Sequence, residues 1–247
     1  GDDRLGDNLY ASSVVALEAS TGRLKWYYQF TPHNVWDWDA QQPTVLIDAQ
    51  WEGERRKLIV QASRNGFFYV LDRTDGKLLL AKQFAKQLTW AREIGADGRP
   101  VLVPGMVPTP EGTTICPSSH GAANWYSTSY SPQTGLYYVQ TLENCNIFVK
   151  SVSEWAAGKS YMGGSTRQAP GAPNQKILRA IEVKTGKVAW ELPQTGPGAA
   201  RGGTPDVSDL FVAFRGDYVQ AVLASLLMGA LISIGFGFSG FGGIIDM

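Results

Sequence analysis

The densest group of chemically useful side chains lies in residues 31–39, which read Thr-Pro-His-Asn-Val-Trp-Asp-Trp-Asp. Asp37 and Asp39 are two positions apart, so both side chains point to the same side of an extended chain. Two carboxylates arranged in this way either bind a cation together or raise each other's pKa, and hard oxygen ligands suit calcium or a similar ion. The structural alternative is that each aspartate only bonds the backbone of its own turn.

Two further polar side chains lie in segments that read as turns. Arg64 belongs to the turn Ser-Arg-Asn-Gly between two apolar runs, where it is either a solvated turn residue or a planar fork for a carboxylate or quinone oxygen. Asn124 follows Gly-Ala-Ala, and such small residues let a ligand approach the backbone closely. Its carboxamide can both donate and accept hydrogen bonds.

The overall composition excludes several classes of protein. Lys and Arg together number 22, as do Asp and Glu, so no basic field gathers nucleic acid and we expect no such partner. The chain lacks a glycine-rich phosphate loop, a serine nucleophile motif and a histidine pair for zinc, so hydrolase chemistry is not indicated. With 28 Gly, 13 Pro and 44% hydrophobic residues, the composition favours an all-β fold of short strands joined by turns.

The elements that must position these residues are predicted by a repeated phrase. An alternating apolar strand runs into Thr-Gly or Asp-Gly and then into another strand at four places, with turn glycines 54, 59 and 51 residues apart. The glycines are Gly22, Gly76, Gly135 and Gly186. A period near 50 residues is typical of about four short strands per unit, as in a β-propeller blade. The sequence therefore predicts about four blades, with the aromatic residues at the phrase ends packed between sheets.

Both ends of the chain depart from this pattern. Residue 1 is glycine with no leader pattern behind it, and we favour a piece of a longer protein over removal of a leader. Residues 218–245 contain no Asp, Glu, Lys or Arg and are long enough for a membrane span, but the glycine-rich end of this stretch suits strands and turns better. We therefore predict a propeller domain over 1–209 and an apolar tail over 210–247, either an aberrant last blade or a transmembrane segment.

The cysteine content leaves the cellular compartment open. Cys116 and Cys145 are too few for a disulfide scaffold or a cysteine metal cluster. Their separation of 29 residues is compatible with a single bridge across one blade.

Taken together, these features resemble the pyrroloquinoline quinone (PQQ)-dependent alcohol dehydrogenases, the group that includes methanol and ethanol dehydrogenases. The resemblance covers roughly residues 6–203. It is carried by Gly-Asp-Asn-Leu-Tyr at 6–10, the Thr-Pro-His-x-x-Trp-Asp-x-Asp stretch, Arg-Asn-Gly at 64–66, Gly-Ala-Ala-Asn-Trp at 121–125, the four phrases and the cysteine spacing.

The resemblance implies an eight-bladed propeller with tryptophan-docking motifs, of which this chain holds a part, and PQQ on the propeller axis beside a calcium or lanthanide ion. Asp37 matches the catalytic carboxylate, a general base that also lies at the metal. Asp39 falls where lanthanide-using members carry a second carboxylate. Arg64 matches the arginine that contacts the quinone oxygens, and Asn124 and Trp125 match residues at the cofactor.

By the same resemblance, we expect a periplasmic enzyme, membrane-associated if the tail spans a membrane, that oxidises a small primary alcohol and passes electrons to a c-type cytochrome. Other blades of family members supply a metal-binding glutamate and asparagine, a stacking tryptophan and an adjacent cysteine pair, none of which occurs here. We therefore expect a fragment that self-associates through open sheet edges. A sugar-oxidising quinoprotein and a non-catalytic propeller scaffold are the alternatives.

Overall fold

The computed structural model describes residues 4–194, and these residues form fifteen β-strands. The strands are β1 (Ser13–Leu17), β2 (Leu24–Gln29), β3 (Val45–Trp51), β4 (Glu54–Ala62), β5 (Phe67–Asp72), β6 (Leu78–Gln83), β7 (Ala91–Ile94), β8 (Pro100–Leu102), β9 (Thr113–Ile115), β10 (Ser129–Ser131), β11 (Leu136–Asn144), β12 (Asn146–Lys150), β13 (Gly164–Gln168), β14 (Asn174–Glu182) and β15 (Val188–Pro193). Within this part of the chain, no helix is long and apolar enough to cross a membrane. The predicted all-β fold class is confirmed.

The strands form two four-stranded antiparallel sheets and three smaller ones. One large sheet has the order β3-β4-β5-β6 and the other β10-β11-β14-β15. The smaller sheets pair β1 with β2, β7 with β8, and β12 with both β13 and β9. Each large sheet is thus a blade in which neighbouring strands run antiparallel, and the second blade carries β12 and β13 as an insertion between its two inner strands.

Every repeated phrase folds into a turn with the same backbone hydrogen bond. The glycine N–H donates to the carbonyl four residues earlier: Gly22 to Glu18 at 2.7 Å, and Gly76 to Asp72, Gly135 to Ser131 and Gly186 to Glu182 at 2.8 Å each. The third and fourth phrases lie in one sheet, because Gly135 joins β10 to β11 and Gly186 joins β14 to β15. Their spacing of about one period therefore arises from the β12–β13 insertion and does not mark a separate blade.

Strand β5 is buried on both faces and forms the centre of the described fold. Its sequence, Phe-Phe-Tyr-Val-Leu-Asp, is fully buried because neighbouring sheets cover it on either side. Phe67 and Tyr69 pack into a cluster with the indoles of the segment 34–40. Phe68 and Val70 point the other way, toward Tyr137 and Ile181 of the second blade. The alternation of side chains along one strand thus joins two hydrophobic cores.

The expected tryptophan docking occurs between the first sheet and the first blade. A Cβ atom built on Gly76 would lie 2.6 Å from the Trp26 ring, and Trp26 Nε1 donates to the carbonyl of Arg73 at 3.2 Å. In the next blade contact, Lys82 and Leu80 take the place of the indole: a Cβ on Gly186 would lie 2.7 Å from Lys82 Cβ and Cγ and 2.9 Å from Leu80 Cδ2. A turn glycine lets the flat or branched side chain lie directly on the backbone.

The predicted boundary after residue 209, the apolar tail 210–247 and the predicted span 218–245 all lie outside the described residues.

Candidate functional site

Arg64 occupies the turn between β4 and β5, and its side chain is only 7% exposed. Its backbone N–H donates to Gln42 Oε1 at 3.2 Å, and its carbonyl accepts from the N–H of Ala122 at 2.9 Å. The guanidinium Nη2 donates to the carbonyl of Ser119. Arg64 Nε is buried and has no hydrogen-bond partner. Arg64 is therefore not a solvated turn residue: its guanidinium is buried, and its Nε–H group has no hydrogen-bond partner.

The two carboxylates of the segment 34–39 lie on the exposed side of this guanidinium. Asp37 Oδ2 is 3.9 Å from Arg64 Nη2, and Asp39 Oδ2 is 3.7 Å from Arg64 Nη1. Their side chains are 75% and 67% exposed, respectively. Both distances exceed hydrogen-bond length, so neither carboxylate accepts a hydrogen bond from the guanidinium.

The segment adopts this shape because its indoles are buried while its carboxylates point out. Trp36 and Trp38 stack with ring centroids 4.9 Å apart, and their Nε1 atoms donate to buried carbonyl oxygens at 2.9 and 2.8 Å. Asn34 Oδ1 accepts the backbone N–H groups of both tryptophans at 3.1 and 3.2 Å. Asp37, between the indoles, has a φ of +65°. In the Trp-Asp-Trp-Asp segment, the tryptophans therefore pack in the core while the aspartates face Arg64.

The charges shift one another's protonation equilibria. Partial desolvation raises the pKa of the Asp37 carboxyl above its usual value. The Arg64 guanidinium opposes this rise, whereas the neighbouring Asp39 carboxylate adds to it. Burial lowers the pKa of Arg64, against the effect of both carboxylates. Asp37 is therefore a carboxylate whose proton affinity is enhanced at a position open to small molecules.

Asn124 lies beside the same site, next to Gln41. In the orientation that satisfies both ends of its carboxamide, Gln41 accepts from Arg64 Nη1 at 3.0 Å and donates to the carbonyl of Asp39 at 2.8 Å. In this orientation the Gln41 oxygen faces Asn124 Oδ1 at 3.4 Å, so no hydrogen bond joins the two side chains. Asn124 Nδ2 donates to the carbonyl of His120 at 2.8 Å, which holds the side chain in its own loop.

The structure therefore brings Asp37, Asp39, Arg64 and Asn124 together. Trp125 directly follows Asn124 in the sequence. Its side chain is 67% exposed, and its ring centroid lies 5.3 Å from that of Tyr126.

The loop that closes over Arg64 is fixed by a glycine and a disulfide. Gly121 lies on the arginine side chain so closely that an added Cβ would be 2.5 Å from Arg64 Cβ. The loop begins at Cys116, which is bonded to Cys145. The predicted bridge is confirmed, and it ties the loop to the end of β11.

Sequence reasoning missed several residues that shape the site. Gln41, Gln42 and Ser119 bond to Arg64, but none of them was singled out. A pair of glutamines and a serine in loops carry no periodic signal, and only the folded chain brings them to the arginine. The sequence indicates only that Gly121 is a small residue that allows close approach. The structure shows that Arg64 is the residue that lies against it.

The donor set at this site is incomplete as a metal centre. No group of three or more His, Cys, Asp or Glu side chains that could hold a metal ion occurs within residues 4–194. Asp37 and Asp39 accept no hydrogen bond on their carboxylate oxygens in this part of the chain, so these oxygens are free to serve as part of a larger ligand set.

Comparisons with known proteins identify the family of the chain. Residues 1–83 match the PQQ family model, which is described as the glucose/ethanol/alcohol dehydrogenase β-propeller domain. The chain is 39% identical over 193 residues to the quinohemoprotein alcohol dehydrogenase ADH IIB of Pseudomonas putida, covering 76% of this chain and 28% of that one. It is 33% identical over 205 residues to the lanthanide-dependent methanol dehydrogenase of Methylorubrum extorquens, covering 77% of this chain and 34% of that one.

Solved structures show the same relationship. A europium-containing methanol dehydrogenase superposes with a TM-score of 0.70 at 32% identity, over 76% of this chain and 34% of that one. The quinohemoprotein alcohol dehydrogenase of Comamonas testosteroni gives a TM-score of 0.71, also at 32% identity, over 77% of this chain and 30% of that one. The described sheets are thus part of a β-propeller, and the chain spans about a third of the length of these relatives. Over the part that these matches cover, the chain belongs to the family of PQQ-dependent quinoprotein alcohol dehydrogenases.

Proposed function

We propose that the chain supplies the base and the arginine side of the active site in a PQQ-dependent dehydrogenase that oxidises small primary alcohols. One observation carries the proposal: a buried guanidinium, Arg64, faces two exposed carboxylates without hydrogen-bonding to either. This open contact leaves guanidinium N–H donors and carboxylate oxygens for a ligand.

Arg64 fits the quinone. Its planar Nη1 and Nη2 groups, which face the two exposed carboxylates, are suited to the oxygens of an anionic quinone, and its side chain is held by Ser119 and Gly121. Asn124 offers a second amide beside the same site, since its Oδ1 lies 3.4 Å from the Gln41 carboxamide. Trp125 is proposed as a flat surface next to the cofactor, since its indole is exposed beside Asn124.

Asp37 and Asp39 fit one side of a cation site. Two carboxylates give oxygen ligands for calcium, and the second negative charge favours a trivalent ion over a divalent one. Because relatives include a lanthanide-dependent and a europium-containing methanol dehydrogenase, we propose a lanthanide as the preferred ion. The remaining ligands then come from other blades.

Asp37 fits the role of general base. A carboxylate whose pKa is raised by desolvation binds a proton more readily, and its exposed side chain is open to an alcohol hydroxyl. In the proposed reaction, an Asp37 carboxylate oxygen takes the hydroxyl proton. The chemistry that PQQ supplies when bound is acceptance of the hydride from the carbinol carbon. Arg64 orients the acceptor and balances the charge that develops on its oxygens.

The partner and the compartment are proposed from the relatives and from the disulfide. A relative from Thauera butanivorans, 39% identical over 158 residues, is named a 1-butanol dehydrogenase that uses cytochrome c. We therefore propose a c-type cytochrome as electron acceptor. The disulfide between Cys116 and Cys145 is typical of an oxidising compartment, which supports the periplasm.

The experiment that tests the proposal is equilibrium binding of PQQ to the 247-residue chain in the presence of lanthanum. Substitution of Arg64→Lys removes the planar fork but keeps the charge, and it is expected to weaken PQQ binding about tenfold to hundredfold. The matched control is Arg99→Lys, which alters an exposed ion pair with Asp7 and should leave binding unchanged. Equal binding by wild type and Arg64→Lys would refute the proposed role of Arg64.

A further inference from the structure

Gln42 is a buried amide that connects the two halves of the site. It is 3% exposed and lies three residues after Asp39, in the loop before β3. Its Oε1 accepts the backbone N–H of Arg64 at 3.2 Å. Its Nε2 donates to the backbone carbonyl of Asp39 at 3.1 Å. One carboxamide therefore joins the main chain that carries the guanidinium to the main chain that carries the carboxylates.

This connection matters because the charged groups do not fix their own separation. The Arg64 guanidinium lies 3.9 Å from Asp37 and 3.7 Å from Asp39, beyond hydrogen-bond length. Opposite charges this close attract one another, more strongly in a partly desolvated site than in water. The Ser119 carbonyl and the Gln41 carboxamide hold the guanidinium itself. Gln42 bonds the two main chains from which the guanidinium and the carboxylates project.

We propose that Gln42 is a positioning residue that keeps the Arg64 guanidinium apart from the Asp37 and Asp39 carboxylates. The inference rests on the proposed function, in which Arg64 binds the quinone and the carboxylates bind the cation. Without the carboxamide bridge, Arg64 closes on a carboxylate as a fork-shaped ion pair. Such a pair uses the N–H groups and oxygens that the quinone and the cation require.

A neighbouring glutamine supplies a matched control. Gln61 is 2% exposed, and its Nε2 donates to the backbone carbonyl of Gln42 at 3.1 Å. Gln61 Nε2 also lies 3.5 Å from Gln42 Oε1, but Gln61 has no hydrogen bond to Arg64 or Asp39. Replacing Gln61 therefore removes buried hydrogen bonds to Gln42 and leaves both bonds of the bridge, to the Arg64 N–H and to the Asp39 carbonyl, in place.

The test compares Gln42→Met with Gln61→Met in the full chain. Methionine preserves the length of the side chain and offers no comparable hydrogen bond. With lanthanum present, we expect Gln42→Met to bind PQQ about tenfold more weakly than wild type, the effect of one well-placed hydrogen bond. Gln61→Met should stay within about twofold of wild type, as expected for a change away from the binding groups.

Amide hydrogen exchange provides a readout that does not depend on PQQ. In wild type, the Arg64 amide should exchange as slowly as that of Ser63, whose N–H donates to the carbonyl of Phe67 at 2.9 Å. In Gln42→Met, exchange should accelerate at Arg64 and not at Ser63. If Gln42 only stabilised the local fold, hydrogen exchange would accelerate at both amides.

The outcomes separate this inference from the proposed function. If wild type binds PQQ and Gln42→Met binds it equally well, the positioning role is wrong and the proposed function stands. If wild type does not bind PQQ, the proposed function is refuted and the inference with it. If Gln42→Met does not fold, the wild-type exchange decides, because fast exchange of the Arg64 amide would overturn the bridge.

Discussion

A single methyl group added at Gly121 should perturb the Arg64 site specifically, because it would contact the arginine directly. It has a φ of +77°, and its Cα faces the side chain of Arg64. In Gly121→Ala, the new Cβ would lie 2.5 Å from Arg64 Cβ and 2.7 Å from Arg64 Cα. The second atom belongs to the backbone, so the clash cannot be relieved by rotating a flexible side chain.

The expected destabilisation has two parts. Forcing alanine into the left-handed region costs about 1 kcal/mol, and overpacking a tight contact costs a further ~1–3 kcal/mol. Gly135→Ala isolates the first part, since Gly135 has a φ of +70° and no atom within 4 Å of an added Cβ. The difference between the two variants is therefore the clash with Arg64, about 1–3 kcal/mol.

Thermal unfolding measures this difference directly. For a protein of this size, 1 kcal/mol corresponds to about 2–4 °C in Tm, so Gly135→Ala should lose about 2–4 °C and Gly121→Ala about 4–16 °C. PQQ binding should fall in Gly121→Ala and remain unchanged in Gly135→Ala. Equal losses of Tm in the two variants would show that Gly121 does not lie in close contact with Arg64.

Three further predictions concern stability. Arg179→Met removes a fully buried guanidinium that pairs with a buried carboxylate of β11 at 2.6 Å, and urea unfolding should show a loss of about 3–5 kcal/mol; a loss below 1 kcal/mol would contradict the pairing. A hydrogen bond from Lys86 lowers the pKa of Glu191, so the stabilisation is present above the unfolded-state pKa and lost as pH falls through the folded-state pKa. The Tm difference between wild type and Glu191→Gln should therefore be largest near neutral pH and shrink as the pH falls below the ordinary pKa range of glutamate, and a difference that does not shrink in acid would refute this origin. Replacing Cys116 and Cys145 by serine opens a crosslink between positions 29 residues apart and should cost about 3.5 kcal/mol by loop entropy, measured by urea unfolding against the oxidised wild type, and an unchanged midpoint would contradict it.

The local signals in the sequence predicted the fold class and the common side of the two carboxylates. Asp37 and Asp39 both face Arg64, although Asp37 has a φ of +65° and the segment is not the extended chain on which the prediction relied. The Thr-Gly and Asp-Gly phrases predicted turns, and each of the four turns has the same glycine hydrogen bond. The aromatic residues at the phrase ends were expected between sheets, and Trp26 lies against Gly76 of the next sheet.

Contacts between distant segments were not available to sequence reasoning. The 51-residue spacing between Gly135 and Gly186 matched a blade period, although it comes from the β12–β13 insertion within one sheet. Gln42 and Ser119 reach Arg64 only because three loops converge, and no periodicity in a sequence encodes that convergence. Lys82 and Leu80 against Gly186 show that packing onto a glycine turn tolerates aliphatic side chains where the repeat predicts an indole.

The most direct test of the central claim is a titration of PQQ into the 247-residue chain with calcium and, separately, with lanthanum. Wild type, Asp37→Ala and Asp39→Ala would be compared. If Asp37, Asp39 and Arg64 form one side of a quinone and cation site, wild type binds PQQ, Asp37→Ala loses binding with both ions, and Asp39→Ala loses it selectively with lanthanum. Absence of PQQ binding by wild type with either ion would contradict the claim.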